Sequence, residues 1–294
     1  MTTGAARLEA GRREAARLGV AMKWVDLRPE IDSLTGAVHT DARFSGASGA
    51  DRAALELALE LGETWGADVV VVSVGPAACE TMLREALAAG ATQALRVDGD
   101  TATPSQDVAR ALAETFKGLG VDLVLCGDWS LDRGSGSVPA FLAGAMGFAQ
   151  ALGLVSIAPD GQSPCGLSAQ RRLDGGRRER LRIQAPAIVS VESGAASLRR
   201  APLAGVIDAR KATIEVRPAP TPVGAPHLTP TRVGPYRPRA RTLPTPSLTL
   251  SPRERILALT GALVDRTPPQ TLVLEAPEAA ERMLDQLRTW GYLT

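Results

Sequence analysis

Four small residues, Gly134, Ser135, Gly136 and Ser137, run straight into the apolar stretch GSVPAFLAGAMG at 136–147. A Gly/Ser turn exposes successive backbone N–H groups, and the first turn of a helix adds more. That spacing makes a seat for an anion, a phosphate first of all. A flexible turn with Ser137 as a simple helix cap fits the same letters. The pattern is neither G-x-x-x-x-G-K-[ST] nor a G-x-G-x-x-G after the first strand, which disfavours a P-loop kinase and an ordinary dinucleotide dehydrogenase. Asp26, Asp128 and Asp132 fall near predicted strand ends, where a carboxylate bonds a ribose or closes a turn. Trp24 and Trp129 lie close by, for packing or for base stacking. Cys79 opens a predicted helix, a place that favours thiolate, and reads equally as a small buried apolar group. There is no G-x-S-x-G, no H-E-x-x-H and no Cys–His pairing, so no catalytic residue is assigned.

The composition narrows the classes further. Hydrophobic residues make up 45% of the 294 and charged residues 22%, enough to build a core and too ordered a mixture for a disordered chain. The net charge of +1 argues against a protein that coats nucleic acid. Three scattered cysteines, Cys79, Cys126 and Cys165, and two histidines, His39 and His227, provide neither a disulfide framework nor a metal site. No apolar run reaches membrane-spanning length and the first residues lack a secretory pattern, so a cytoplasmic protein is expected. Only three of the 33 basic residues are lysine, a coding bias that discounts arginine-rich stretches as a sign of RNA binding. The most conspicuous such stretch, 169–190, lacks interleaved aromatics and reads as strand–turn–strand with arginines facing solvent.

The elements that must position these residues follow from hydrophobic period. GVAMKWVDL (19–27), ADVVVVSVG (67–75), TQALRV (92–97) and VDLVLCG (121–127) read as buried strands. Helices are predicted at 51–66, 76–91, 104–120 and 136–147, the second opening with Pro76 and ending at Gly90. This alternation predicts an α/β fold with a doubly wound, mostly parallel, Rossmann-like sheet. In such a sheet ligands bind beyond the carboxyl ends of the strands, here Ala21–Asp26, Ser73–Gly75 and Cys126–Gly127. From residue 149 to 193 shorter strands with turns at DG and GG extend the sheet or form a β-ribbon beside it, and 203–212 is a short helix. Four segments result: an N-terminal tail or helix (1–19), an α/β domain (20–217), a proline-rich extended arm (218–250) with nine prolines and no acidic residue, and a C-terminal segment (251–294). The last holds helices at 251–265 and 277–292 and a strand-like TLVLEA at 271–276.

Several of these motifs resemble one family. Arg171, Asp174, Gly175, Gly176, Glu179, Leu181 and Pro186 resemble the signature of the electron-transfer flavoprotein beta subunit, with Ser190 where Thr, Ala or Cys is usual. SVGPAACETMLREALAAGA (73–91) resembles the family's strand–GPA–helix unit, VDLVLCGDWSLDRGSGSVPA (121–140) its strand and G-x-x-x-x-D nucleotide loop, and AMKWVD (21–26) its opening strand. The resemblance covers about residues 20–217; the C-terminal part resembles the variants found with mycofactocin, a peptide-derived redox cofactor. It implies an adenine-nucleotide-binding fold and a heterodimer with an alpha subunit that carries most of an FAD site. It also implies AMP, or a second FAD, in this chain's own cleft, and an electron carrier serving a dehydrogenase or mycofactocin-linked donor rather than an enzyme. By position the nucleotide contacts would be Ala21, Ser48, Gly49, Ala50, Asp51, Val74, and, in the loop after the fourth strand, Gly127, Asp128, Trp129, Asp132, Gly134, Ser135, Gly136, Ser137 and Val138. The docking loop would lie at 193–203 with Ala195 as its apolar anchor, and the arm and last helix would wrap the alpha subunit. A non-redox adenine-nucleotide-binding or sensor module is the competing reading.

Overall fold

Strand and helix alternate from residue 17 onward in the computed structural model, which describes residues 17–32, 34–163, 165–220, 245–260 and 271–293. The expected N-terminal tail or helix lies outside the described residues up to position 16. So do most of the proline-rich arm (221–244) and the last third of the helix expected at 251–265. The chain divides into two units, one within residues 1–235 and one within 236–294.

The first unit runs β1 (Arg17–Ala21), β2 (Trp24–Asp26), β3 (Glu30–Ile31), β4 (Val38–His39), β5 (Ser45–Ala47), α1 (Gly49–Trp65), β6 (Asp68–Gly75), α2 (Glu80–Ala89), β7 (Gln93–Asp98), α3 (Ser105–Gly118), β8 (Leu123–Gly127) and α4 (Val138–Met146). It continues with β9 (Ala149–Pro159), β10 (Leu167–Arg172), β11 (Arg178–Ile183), β12 (Ala187–Val191), α5 (Leu203–Lys211) and β13 (Glu215–Arg217). One nine-stranded sheet carries the order β11-β10-β9-β12-β8-β1-β6-β7-β13. From β9 to β13 neighbouring strands are parallel, while β10 runs antiparallel to both β9 and β11. This is the doubly wound, mostly parallel sheet with a ribbon extension that the sequence pattern predicts.

The alternation of side chains builds two cores. Leu18, Val20, Val69, Val71, Leu123 and Leu125 face one side, under α1 and α2. Ala21, Val70, Val72, Val124 and Cys126 face the other, under α3 and α4. A strand covered on both faces needs no polar positions, hence the unbroken valines of β6. Gly19 is required by packing: a Cβ there would stand 2.7 Å from the Phe116 ring of α3. In the ribbon, Arg171 and Glu179 are direct cross-strand partners and form an ion pair at 2.5 Å.

Three sequence expectations change. The run 19–27 is not one strand: the chain leaves the sheet after Ala21, and β2 pairs instead with β5 in a small antiparallel sheet. That pair delivers Ser48 to the start of α1. Among the strands after residue 149, β12 does not extend an edge; it is inserted between β9 and β8 and fully buried. TLVLEA is not a strand in the second unit, where residues 271–275 are irregular, mostly exposed, and pair with no described strand. Its β-branched residues have preference without a partner. The second unit holds α6 (Pro252–Thr260) and α7 (Ala276–Thr289). Ser251 caps α6 reciprocally, its N–H donating to Glu254 at 2.8 Å and its hydroxyl accepting from the Glu254 N–H at 3.4 Å.

Candidate functional site

The chain runs outward from β1 to β6 and β7, then returns to place β8 on the opposite side of β1. The strand order therefore reverses at β1, and the crevice beyond the ends of β1 and β8 is the switch point where such sheets take ligands. A cleft lies there. Ala21, Val74, Val108, Leu112 and Cys126 give it an apolar floor. The turn 129–138 and the segment 100–105 form its sides.

One buried carboxylate joins the floor together. Asp51, in the first turn of α1, is 5% exposed. Its Oδ2 accepts from the Lys23 N–H at 3.1 Å and its Oδ1 from the Gly127 N–H at 3.3 Å. Burial pushes its pKa up to about 6, against the opposing pull of the Lys23 and Gly127 amides, the Ser48 hydroxyl and the Lys23 charge. Gly127 admits this contact because a Cβ there would lie 2.6 Å from Asp51 Oδ1. Cys126 beside it is buried, and desolvation first, then the Asp51 charge, raises its thiol pKa far from thiolate.

The rim is held by ion pairs and turns. Lys23 Nζ lies 2.5 Å from Asp132, which also accepts from Ser130 Oγ at 2.7 Å. Burial raises the Asp132 pKa, but Lys23, Ser130 and the Arg133 amide outweigh it and leave the carboxyl below its ordinary value. Arg133 reaches across to donate to the Thr103 and Thr101 carbonyls at 2.9 and 3.2 Å. Asp128 donates its N–H to Val191 at 3.0 Å, and burial followed by the charge of Glu192 raises its carboxyl.

The Gly/Ser turn needs its glycines. Gly134 has φ +61° and a Cβ there would meet Trp129 Nε1 at 2.7 Å; Gly136 has φ +57° and a Cβ would meet the Asp128 carbonyl at 2.5 Å. Ser137 makes no side-chain capping bond to α4; its hydroxyl is 3.0 Å from that of Ser135. The first N–H groups of α4 have no intrahelical acceptor, and Pro139 near its start removes one of them from the count. Gly136, Ser137 and Val138 all line the cleft, so these amides border it.

Of the residues singled out from sequence, Ala21, Asp51, Val74, Gly127, Trp129, Ser135, Gly136, Ser137 and Val138 line the cleft. Ser48, Gly49, Ala50, Asp128, Asp132 and Gly134 stand behind the lining. Ser48 caps α1 by accepting from the Asp51 N–H at 3.2 Å. A Cβ on Gly49 would meet Ser193 at 3.2 Å, and Ala50 is 2% exposed. Asp132 reaches the rim through Lys23, and Gly134 lies against Trp129. Sequence reasoning passed over Lys23, Arg133 and the segment Asp100, Thr101, Thr103, Ser105. The turn-forming string after β7 marked a fourth strand end, but nothing in its letters tied it to Arg133. His39 lies exposed on β4. Among the described residues no group of three His, Cys, Asp or Glu side chains could hold a metal.

The expected docking loop is pinned down rather than free. Arg199 donates its N–H and its Nε to the buried Glu56 of α1 at 2.8 and 3.0 Å, and pairs with Glu63. Ala195, expected as the apolar anchor of that loop, packs half-buried against the core. The large apolar side chain presented there is Leu203, 76% exposed.

Comparison with known proteins agrees with this architecture. A family model for the electron transfer flavoprotein domain matches residues 37–222. The human electron transfer flavoprotein subunit beta is 33% identical over 153 residues, 51% of this chain and 58% of that protein. Protein FixA of Rhizobium meliloti is 31% identical over 171 residues, 56% of this chain and 58% of its own length. The beta subunit of Bacillus subtilis is 28% identical over 193 residues, 65% of this chain and 74% of its own. The chain thus spans less than two thirds of the length of the human and FixA relatives. A matched model over most of the α/β unit, together with these beta-subunit relatives, shows that the chain belongs to the electron transfer flavoprotein family, in its beta-subunit branch.

Proposed function

We propose that this chain is the beta subunit of a heterodimeric electron transfer flavoprotein. In this reading it is a cytoplasmic carrier that passes electrons from a dehydrogenase or a mycofactocin-linked donor to a downstream acceptor. It binds AMP, or a second FAD, in the β1/β8 cleft and shares a further FAD with an alpha subunit. The observation that carries this reading is the pair of left-handed glycines, Gly134 and Gly136, that lay the uncapped start of α4 against the cleft at the switch point.

The residues fit an adenine nucleotide. A Cβ at Gly136 would close the turn against the Asp128 carbonyl, so the cradle exists only because the residue is glycine. The amides of Gly136, Ser137 and Val138 would hold a phosphate, the α4 dipole adding to their attraction. Ala21, Val74, Val108 and Leu112 offer an apolar surface for a base, and Trp129 at 50% exposure an additional flat face. Lys23 and Arg133, tied into the rim, place two cations near the phosphate seat without leaving either side chain to wander. A bound flavin supplies the redox chemistry; the chain's own residues position it, screen it from water and set the local charge. Leu203 and the pinned segment before it present an apolar contact for a partner protein. Among the described residues no helix is long and apolar enough to cross a membrane.

The test is direct. Co-expression with an alpha subunit should yield a yellow complex, and heat-denaturing that complex should release, per chain, one FAD together with one AMP, or two FAD, identified by mass spectrometry. Release of AMP or ATP from a colourless chain that forms no heterodimer would favour a nucleotide sensor. A single FAD per heterodimer, with no second nucleotide, would refute the cleft assignment.

A further inference from the structure

The two strands that frame the cleft end together, their last register pair being Ala21 and Cys126. One residue past that pair on β8, and two past it on the β1 side, the N–H groups of Gly127 and Lys23 lie beyond the β1/β8 pairing. Both donate to the same Asp51 carboxylate. Asp51 sits in the first turn of α1, whose cap Ser48 also reaches the Trp129 carbonyl through its hydroxyl at 3.4 Å. One side chain therefore touches the β1 wall, the β8 wall and the helix that buttresses the nucleotide loop, while lying almost entirely beneath the cleft surface. The titratable groups that face it are the Lys23 ammonium from the segment after β1 and the Cys126 thiol from β8. The nearest carboxylate of the 128–137 loop, Asp132, faces Lys23.

We propose that Asp51 is the positioning residue of this cleft: its ionised carboxylate ties the Lys23 and Gly127 amides together and so holds the β1 and β8 walls, and the turn beyond β8, at the spacing that retains a nucleotide. This rests on the proposed function, since it takes a nucleotide as the occupant. A carboxylate has two accepting oxygens, one for each amide. Protonation turns one of these oxygens into a donor and a much weaker acceptor, so one of the two N–H bonds is weakened. Burial brings that change to about pH 6. The same burial means that the ionised form opposes folding while it supports the cleft, so binding and fold stability respond to this residue in opposite directions.

The experiment measures AMP affinity of the full chain, wild type and Asp51→Asn, from pH 5 to 8, with thermal unfolding in parallel. The phosphate of AMP itself titrates near pH 6, so the readout is the ratio of the two affinities at each pH. The expected ratio is on the order of tenfold in favour of the wild type at pH 8, falling toward one at pH 5. The unfolding midpoint of Asp51→Asn at pH 8 should be no lower than that of the wild type. A ratio that stays flat across the range, or an affinity loss matched by an equal loss of fold stability, overturns the proposal. Should Asp51→Asn fail to fold, the wild type alone decides, with FAD as probe because its diester phosphates carry no proton in this range. The FAD-induced rise in midpoint should shrink as pH falls through 6, and a constant rise overturns the proposal. Wild-type chain that binds neither AMP nor FAD at pH 8 refutes the nucleotide reading itself, a distinct result.

Discussion

Replacing Gly136 by alanine puts the nucleotide cradle to its sharpest test. The backbone there has φ +57°, where an L side chain costs about 1–2 kcal/mol. The new Cβ would also stand 2.5 Å from the Asp128 carbonyl oxygen. That oxygen is main chain, so relief needs a backbone shift rather than a side-chain rotation. The turn must relax by leaving its left-handed conformation, which moves the amides of Gly136 and Ser137. Restoring them on binding then costs about 1–3 kcal/mol, roughly a 5- to 150-fold loss in affinity. Gly136 belongs to neither core cluster, so the thermal midpoint should fall only by about 2–8 °C, the equivalent of that 1–2 kcal/mol. Gly144 in α4 is the matched control: nothing lies within 4 Å of a Cβ there. Gly144→Ala should stabilise the helix by up to about 1 kcal/mol and leave affinity unchanged. The assay is calorimetric titration with AMP beside thermal unfolding. Wild-type affinity in Gly136→Ala, or an equal loss in Gly144→Ala, would refute the reasoning.

Other outcomes follow from the same contacts. Asp51 has a folded-state pKa near 6 against 3.8 unperturbed, so the folded chain holds a proton that the unfolded chain has released between those values. Its contribution to stability is therefore present below about pH 4 and lost as pH rises through 6, a change of about 3 kcal/mol for two pKa units. Nucleotide-free Asp51→Asn should gain on the wild type by up to that amount across this window, read from unfolding curves at each pH. Arg199→Ala removes the guanidinium contacts of Glu56, which is 6% exposed, and leaves only the backbone N–H of position 199 donating to it; a loss of about 1–3 kcal/mol and faster proteolysis within 193–203 are expected. Lys23→Gln breaks a rim pair whose side chains are 33% and 36% exposed, and the stability change should stay below about 1 kcal/mol and shrink further in salt. Deleting 251–294 should raise the dissociation constant of the heterodimer while leaving the unfolding midpoint of the α/β unit nearly unchanged.

The legible parts of this molecule are those whose cause is local. Four consecutive valines in β6 announce a strand covered on both faces, and the Pro76 and Gly90 that bracket α2 announce its limits. Gly134 and Gly136 signal a turn before a helix, because only glycine takes that backbone without strain. What the letters conceal is set by partners distant in the chain. Nothing in AIVSV says that β12 enters the middle of the sheet rather than its edge. The break after Ala21 is dictated by Asp51 receiving the Lys23 amide, a contact between positions in different elements. Arg133 acquires a role only because the segment after β7 brings the carbonyls of Thr101 and Thr103 within its reach. TLVLEA misleads for the converse reason: strand preference without a neighbour to pair with produces no strand.

The register of the central strands also dictates when the pocket comes into being. Leu18 pairs with Leu123, and β8 in turn is flanked by β12, which begins at Ala187. Every residue that lines the crevice lies between Ala21 and Pro139, so a growing chain offers none until β8 and the turn into α4 have been made, and closing the long loop between β1 and β8 adds to the folding barrier. Added nucleotide would act as a brake on unfolding and a reward for completion, never as an early template.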